Sequence, residues 1–291
     1  ACAESPSYWD TTQEKTTSQR ELFKKYDKFD INDYVLLASQ CEKYGIEFMV
    51  TAFDEDSLEL INPLVKRHKI ASADITNIPL LRKIASYKKP IILSTGAASK
   101  NEIEKALEEL KNKENNVTLL HCVLLYPTPD GDSQIGLIDT LKCEFPQNSI
   151  GYSDHTVPCQ ELKILKTVLS RDISLLEKHY TFNKNLKGND HYHAMDINDL
   201  RKIVNYYEWL KSVEKNNGLN YREIEVAAIN NARRSIVAKK KILKGSILNG
   251  KNLTTKRPGF GIPASKWDLV NGKYSSIDIN EDTMIEWDML K

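Results

Sequence analysis

Two short segments carry the residues best suited to chemistry: GYSDHT at 151–156 and EKHYT at 177–181. Each closes an apolar run, so each reads as the C-terminal end of a buried strand. Side chains alternate along a strand, which puts Ser153 with His155 on one face and Glu177 with His179 on one face of the next. Two imidazoles meeting beside carboxylates make a divalent-metal site with room for water or substrate. Held apart, the same histidines are ordinary strand-end residues. A second task is open to Ser72, Ser94 and Ser153 together with Lys69: a lysine charge plus hydroxyl donors suits a phosphate or carboxylate. Serines alone also fit turns, whereas a lysine inside an apolar strand is costly unless it is paired. Asp190, His191 and His193 fall in GNDHYHAMD (188–196), which fits a metal site, a sugar-binding loop or a polar turn, the turn being the simplest. Tyr126–Pro127, with Pro129, marks a stiff loop whose ring can stack on or hydrogen-bond a ligand. His121 reads as a packed structural histidine.

Six short runs rich in β-branched residues must position these groups: 46–53, 69–74, 90–95, 117–123, 149–155 and 174–181. The gaps between them carry helical stripes: Leu58, Ile61 and Val65; Ile103, Leu107 and Leu110 behind a Ser99–Glu102 capping box; Leu162, Leu165 and Leu169 after Pro158. A last helix over about 196–214 places Leu200, Ile203, Val204, Tyr207 and Leu210 on one stripe. Repeated strand–helix units predict parallel strands with helices outside, in an open doubly wound sheet or a closed barrel. No G-x-G-x-x-G or Walker pattern follows a strand, which counts against the open sheet. Thr51, Ser72, Asp74, Ser94, Ser153, His155, Glu177 and His179 gather at C-terminal strand ends, the face where barrels place chemistry. Beyond about residue 215 a polar stretch leads to SIVAKK and ILNGKNLTTKRPG, a small β-rich module expected to lean on the barrel or on a second subunit.

Lys plus Arg number 41 against 40 for Asp plus Glu in 291 residues, a net charge of +1 that gives no electrostatic case for nucleic acid or an acidic membrane. No apolar run approaches the roughly 18 residues a membrane span needs. The N-terminus lacks a signal pattern. Five scattered cysteines without a C-x-x-C pair argue against a disulfide scaffold or structural zinc and fit a cytoplasmic setting. The first thirty residues are polar and nonperiodic, and position 1 is Ala.

In chain order, GIEFMVTAFD, KIASADITNIPLL, KPIILSTG, LLHCVLLYPTP, FPQNSIGYSDHT, LLEKHYT, KGNDHYHAMD, RRSIVAKKKILKG and KRPGFGI resemble the sialic acid synthase family from about residue 40 on. The resemblance implies an α/β TIM (β/α)8-type barrel over 1–215, a linker over 216–232 and an antifreeze-like (SAF) domain over 233–291. It implies condensation of phosphoenolpyruvate with N-acetylmannosamine or a related N-acetylated amino sugar, giving a nine-carbon sialic-acid-type product (N-acetylneuraminate or legionaminate-like) and phosphate. By the same resemblance His155 and His179 hold manganese, or magnesium or cobalt, and Glu177 joins them as catalytic. Thr51, Lys69, Ser72, Ser94 and Ser153 fall to phosphoenolpyruvate, and Tyr126 and Asp190 to the sugar. Arg257 falls to a neighbouring subunit's site in a domain-swapped homodimer. Leu124 departs from the polar Asn of some members, and GNDHYHAMD differs from the N-acetylneuraminate version, which leaves the sugar open. The family opens with two further strands, one ending in a catalytic glutamate and one in a phosphoenolpyruvate-binding lysine. Neither text occurs here, so six of eight barrel strands are expected, with about 55 residues lacking at the front of a protein of roughly 350 by the repeat period. Two other readings stand beside this one. The first is an inactive truncated or decayed synthase; the second is a different metal-dependent barrel aldolase, which explains the histidines but not the C-terminal module.

Overall fold

The computed structural model describes residues 1–291 apart from 3, 4, 8, 10, 13, 112–115, 189 and 217. It divides into two compact units, Ala1–Glu214 and Lys215–Lys291. The first unit opens with helices α1 (Gln19–Tyr26), α2 (Ile31–Lys43) and α3 (Glu55–Ile61). Strands and helices then alternate: β1 (His68–Ile70), α4 (Ile78–Ser86), β2 (Ile91–Ser94), α5 (Lys100–Leu110) and β3 (Val117–Cys122). The alternation continues through α6 (Leu137–Glu144), β4 (Ser149–Asp154), α7 (Lys163–Leu169), β5 (Leu176–Lys178) and α8 (Ile197–Val213). Among the described residues the five strands form one parallel sheet in the order β1-β2-β3-β4-β5. The order never reverses, so the unit is a parallel half-barrel and not a doubly wound sheet.

Five strands stand where six were expected. The run 46–53 pairs with β1 only through a parallel Thr51–Lys69 bridge. Ile46 and Phe53 in it are each 63% exposed, so it has neither the ladder nor the burial that make a run a strand. The second run is also shorter than expected: β1 stops at Ile70, and Ser72–Asp74 form a 3-10 turn. The polar N-terminal region contains α1, a helix with no buried residue.

Apolar spacing explains the helix layer. Leu58, Leu81, Ile84, Ala106 and Val168 pack with Leu93, Leu119 and Tyr152 of the sheet, each fully buried aliphatic side chain contributing roughly 1.5–3 kcal/mol. Ser99 caps α5 in the expected box with Glu102, and an Asp196–Asp199 box starts α8. On α8, Ile203 and Leu210 are buried, whereas Val204 and Tyr207 remain largely exposed. The stripe is narrower than its apolar residues suggested because the core that α8 covers, Leu162, Leu165 and Met195, reaches only one side of it. Of the Lys/Glu-rich run 104–114, whose composition suits a solvated face, residues 112–114 lie outside the described ones.

The second unit contains α9 (Val226–Ala232), an antiparallel pair of β6 (Ser235–Ala238) and β7 (Leu253–Lys256), and a short α10 (Trp267–Val270). Ile236, Ile242, Leu248, Val270, Ile279 and Ile285 form its own core. Arg257 is exposed at the end of β7, joined to Pro258 by a cis peptide bond. Among the described residues no helix is long and apolar enough to cross a membrane.

Candidate active site

Strand register brings the two histidines together. Ser153 is the register partner of Glu177, and Asp154 of Lys178. One step further along both chains, the rings of His155 and His179 lie 5.5 Å apart, edge to face. Tyr126 stacks on His155 at 4.1 Å and reaches to 6.1 Å from His179. His155 Nδ1 bonds the Val123 carbonyl at 2.9 Å. That bond fixes the ring and leaves the lone pair on Nε2. Burial pushes the His155 imidazole down to about 4 and that of His193 to about 4, and it lowers His179 as well, against the pull of Asp190. Neutral imidazoles at neutral pH are what a cation needs as ligands.

Lys69 is the second centre. Its ammonium, 8% exposed, donates to Ser94 Oγ at 2.8 Å and to the Ile70 carbonyl at 3.2 Å, and lies 3.6 Å from Glu177 Oε2. The lysine embedded in an apolar strand is therefore paired. Ser72, Ser94 and Ser153 are all buried, and Thr51 bridges to Lys69 from the preceding segment. Ser153 is in register with both Cys122 and Glu177, which continues the polar row across three strands. The Cys122 thiol of this row stands beside Ser72 and is pushed up by burial. Gly96 makes room for it: a Cβ there would lie 2.7 Å from Cys122 Sγ and 3.1 Å from Ser72 Oγ.

The loop after β5 belongs to the site and is more than a turn. Met195 N–H donates to the His179 carbonyl at 2.8 Å, and Thr181 N–H to the Met195 carbonyl at 2.8 Å. This backbone pairing lays residues 190–195 beside the end of β5. Asp190 and His193 then stand next to His179, with ring centroids of the two histidines 4.9 Å apart. His191 turns away and hydrogen-bonds Thr181 Oγ1 at 2.7 Å. His121, buried, bonds the Ser133 carbonyl at 2.9 Å, the packed role its setting suggested. Arg257 lies in the second unit, Leu124 is partly exposed after β3.

Sequence reasoning passed over Asp154 and Lys178. Their side chains form a buried ion pair at 2.6 Å. Alternation was the available signal: if His155 and His179 face the site, their chain neighbours must face the helix layer, where only mutual pairing satisfies two charges.

The donor set fits a divalent cation. One ligand atom each from His179, Asp190 and His193 lie within 4.8 Å of one another, and His193 is fully buried with neither ring nitrogen hydrogen-bonded among the described residues. Neutral imidazoles with one carboxylate are the ligands that manganese, cobalt and zinc accept.

Known proteins resemble this chain along most of its length. It is 37% identical over 281 residues to the N,N'-diacetyllegionaminic acid synthase of Campylobacter jejuni, covering 94% of this chain and 83% of that protein. It is 33% identical to the Legionella pneumophila protein of the same name, covering 99% and 81%. The crystal structure of the N-acetylneuraminic acid (sialic acid) synthetase of Leptospira borgpetersenii superposes with a TM-score of 0.67 at 32% identity, covering 75% of this chain and 76% of that one. Residues 233–291 match the SAF domain. Residues 1–218, which carry the half-barrel and every residue of the histidine and lysine centres, match the NeuB family model, and the chain belongs to the NeuB family.

Proposed function

We propose that the protein condenses phosphoenolpyruvate with an N-acetylated amino sugar, forming a nine-carbon sialic-acid-type sugar acid and releasing phosphate. The observation that carries this reading is the adjacency of two unlike centres on one face of the half-barrel. A buried ammonium bonded to a serine hydroxyl stands at β1 and β2, 3.6 Å from Glu177, and neutral imidazoles stand at the ends of β4 and β5. The first suits a small polyanion and the second a divalent ion, manganese before magnesium or cobalt, held by His155 and His179. When bound, the ion polarises the carbonyl oxygen of the open-chain sugar.

The residues of the chain do the rest by binding and orientation. Lys69, with Thr51, Ser72, Ser94 and Ser153, holds the phosphate and carboxylate of phosphoenolpyruvate with its C3 toward the histidine pair. C3 forms a bond to the sugar aldehyde carbon, and the aldehyde oxygen takes a proton. Water adds at C2 of the phosphoenolpyruvate portion. The C2–O bond to phosphate then breaks, inorganic phosphate leaves, and C2 becomes the ketone of the sugar acid. Glu177, beside Lys69, is the carboxylate placed to hold a proton of the attacking water. Tyr126 and Asp190 orient the sugar. Arg257 of a second subunit completes the site in a domain-swapped dimer.

Two similar proteins are named for N,N'-diacetyllegionaminic acid, which puts a doubly N-acetylated sugar first among candidates. Phosphate release is measured with the purified protein, Mn2+, phosphoenolpyruvate and a panel of mono- and diacetamido sugars. Release that depends on one sugar supports the reading, and silence with every sugar removes it.

A further inference from the structure

We propose that His193 is a third protein ligand of the divalent ion, joining a centre to which the two strand histidines alone were assigned. The inference rests on the metal reading above and adds a residue to it.

Three observations carry it. His193 is 0% exposed, and neither Nδ1 nor Nε2 has a hydrogen-bond partner among the described residues. A buried polar atom left unpaired keeps the full cost of its desolvation, so a histidine with both nitrogens in that state is a poor core residue and a good ligand. Its nearest carboxylate oxygen, Asp190 Oδ1, stands 3.5 Å from Nε2, longer than a hydrogen bond of normal strength. Asp190 also lies 4.0 Å from His179 Nδ1, so the carboxylate sits between two imidazoles with one donor atom from each residue gathered within 4.8 Å. The position is also built, not incidental. Ala194 and Met195 are buried, and the Met195–His179 and Thr181–Met195 backbone bonds fix the His193 ring beside that of His179.

A third imidazole changes what the site accepts. Two histidines leave a centre to be completed mostly by water and substrate oxygens, a set that suits magnesium and manganese. Three imidazoles shift preference toward cobalt and zinc over magnesium.

The test uses the whole protein, stripped with chelator and titrated with Co2+ alone, following the visible d–d absorption. Binding is compared in wild type, His193→Gln and His193→Cys, with circular dichroism and thermal melting of the metal-free proteins as the check on folding. His193→Gln is expected to weaken Co2+ at least about tenfold. His193→Cys is expected to retain binding and gain a near-ultraviolet thiolate-to-cobalt band that wild type lacks, a signature no packing role produces. Unchanged affinity in His193→Gln together with no new band in folded His193→Cys overturns the proposal while leaving a two-histidine centre intact. Absence of Co2+ binding by wild type removes the metal reading itself.

Discussion

Lys178 Nζ lies 2.6 Å from Asp154 Oδ2 with both side chains out of solvent, and the next residue on each strand is one of the two site histidines. Asp154 also accepts from the Thr156 backbone N–H and hydroxyl and from Tyr152 OH, and Lys178 donates to the Thr156 carbonyl. The pair thus pins the ends of β4 and β5 from behind. Asp154→Asn leaves a buried ammonium uncompensated and is expected to cost about 3–5 kcal/mol in urea unfolding. Replacing both partners, as Asp154→Asn with Lys178→Met, is expected to cost less than the single change. A double variant less stable than either single one would contradict the pairing.

Gly151 is a packing requirement on β4. It is in register with Leu120, and a Cβ there would lie 2.5 Å from Leu120 Cδ2 and 2.5 Å from the Leu175 carbonyl oxygen. The leucine side chain can shift, but the carbonyl belongs to the neighbouring backbone. Gly151→Ala is expected to destabilise by at least about 1–3 kcal/mol, read as a lower denaturant midpoint with unchanged slope.

Lys69→Met keeps the length of the side chain and removes its charge. Losing a charge-assisted hydrogen bond of about 1.5–3 kcal/mol is expected to raise KM for phosphoenolpyruvate roughly 10- to 100-fold, with KM for the sugar little changed. Ser94→Ala, which removes a neutral partner of the same ammonium, is expected to have a smaller effect in the same direction. A change confined to the sugar KM would move Lys69 out of the anion site.

His68, one residue before Lys69 on β1, is buried against Tyr87 and bonded to Asn62 at 3.1 Å. Burial, with Lys89 nearby, lowers it from 6.5 to about 4. The unfolded chain therefore binds this proton more tightly than the native one. Its contribution to stability is complete above about pH 6.5 and falls as the pH drops toward about 4. His68→Gln is expected to flatten the dependence of unfolding free energy on pH in that window, by up to about 1.4 kcal/mol per pH unit. An identical slope in both proteins would refute the assignment.

Much of this architecture is legible in the residues, and the misses have physical causes. Apolar runs near 91–94, 117–122 and 149–154 gave strands because burial on both faces demands continuous apolar sequence. The run 46–53 has the same composition, yet it pairs at Thr51 alone, since strand formation depends on neighbours that composition does not record. Alternation also paired Ser153 with His155 and Glu177 with His179. Strand register, a relation between segments, is what turned those two pairs into one site. His193 lay in an irregular loop with no period to read. Its partner is decided by the Met195–His179 backbone bond, a contact between segments that spacing cannot reveal.

The central chemistry is tested by mass spectrometry on the reaction of the Mn2+-loaded protein with an acetamido sugar and phosphoenolpyruvate carrying 18O in its bridging C–O–P position. The expected result is a nine-carbon sugar acid and inorganic phosphate that retains the 18O, with both lost in a His155→Ala, His179→Ala double variant. Label recovered in the sugar acid, or full product formation by the double variant, would contradict carbon–oxygen cleavage at a histidine-held metal centre.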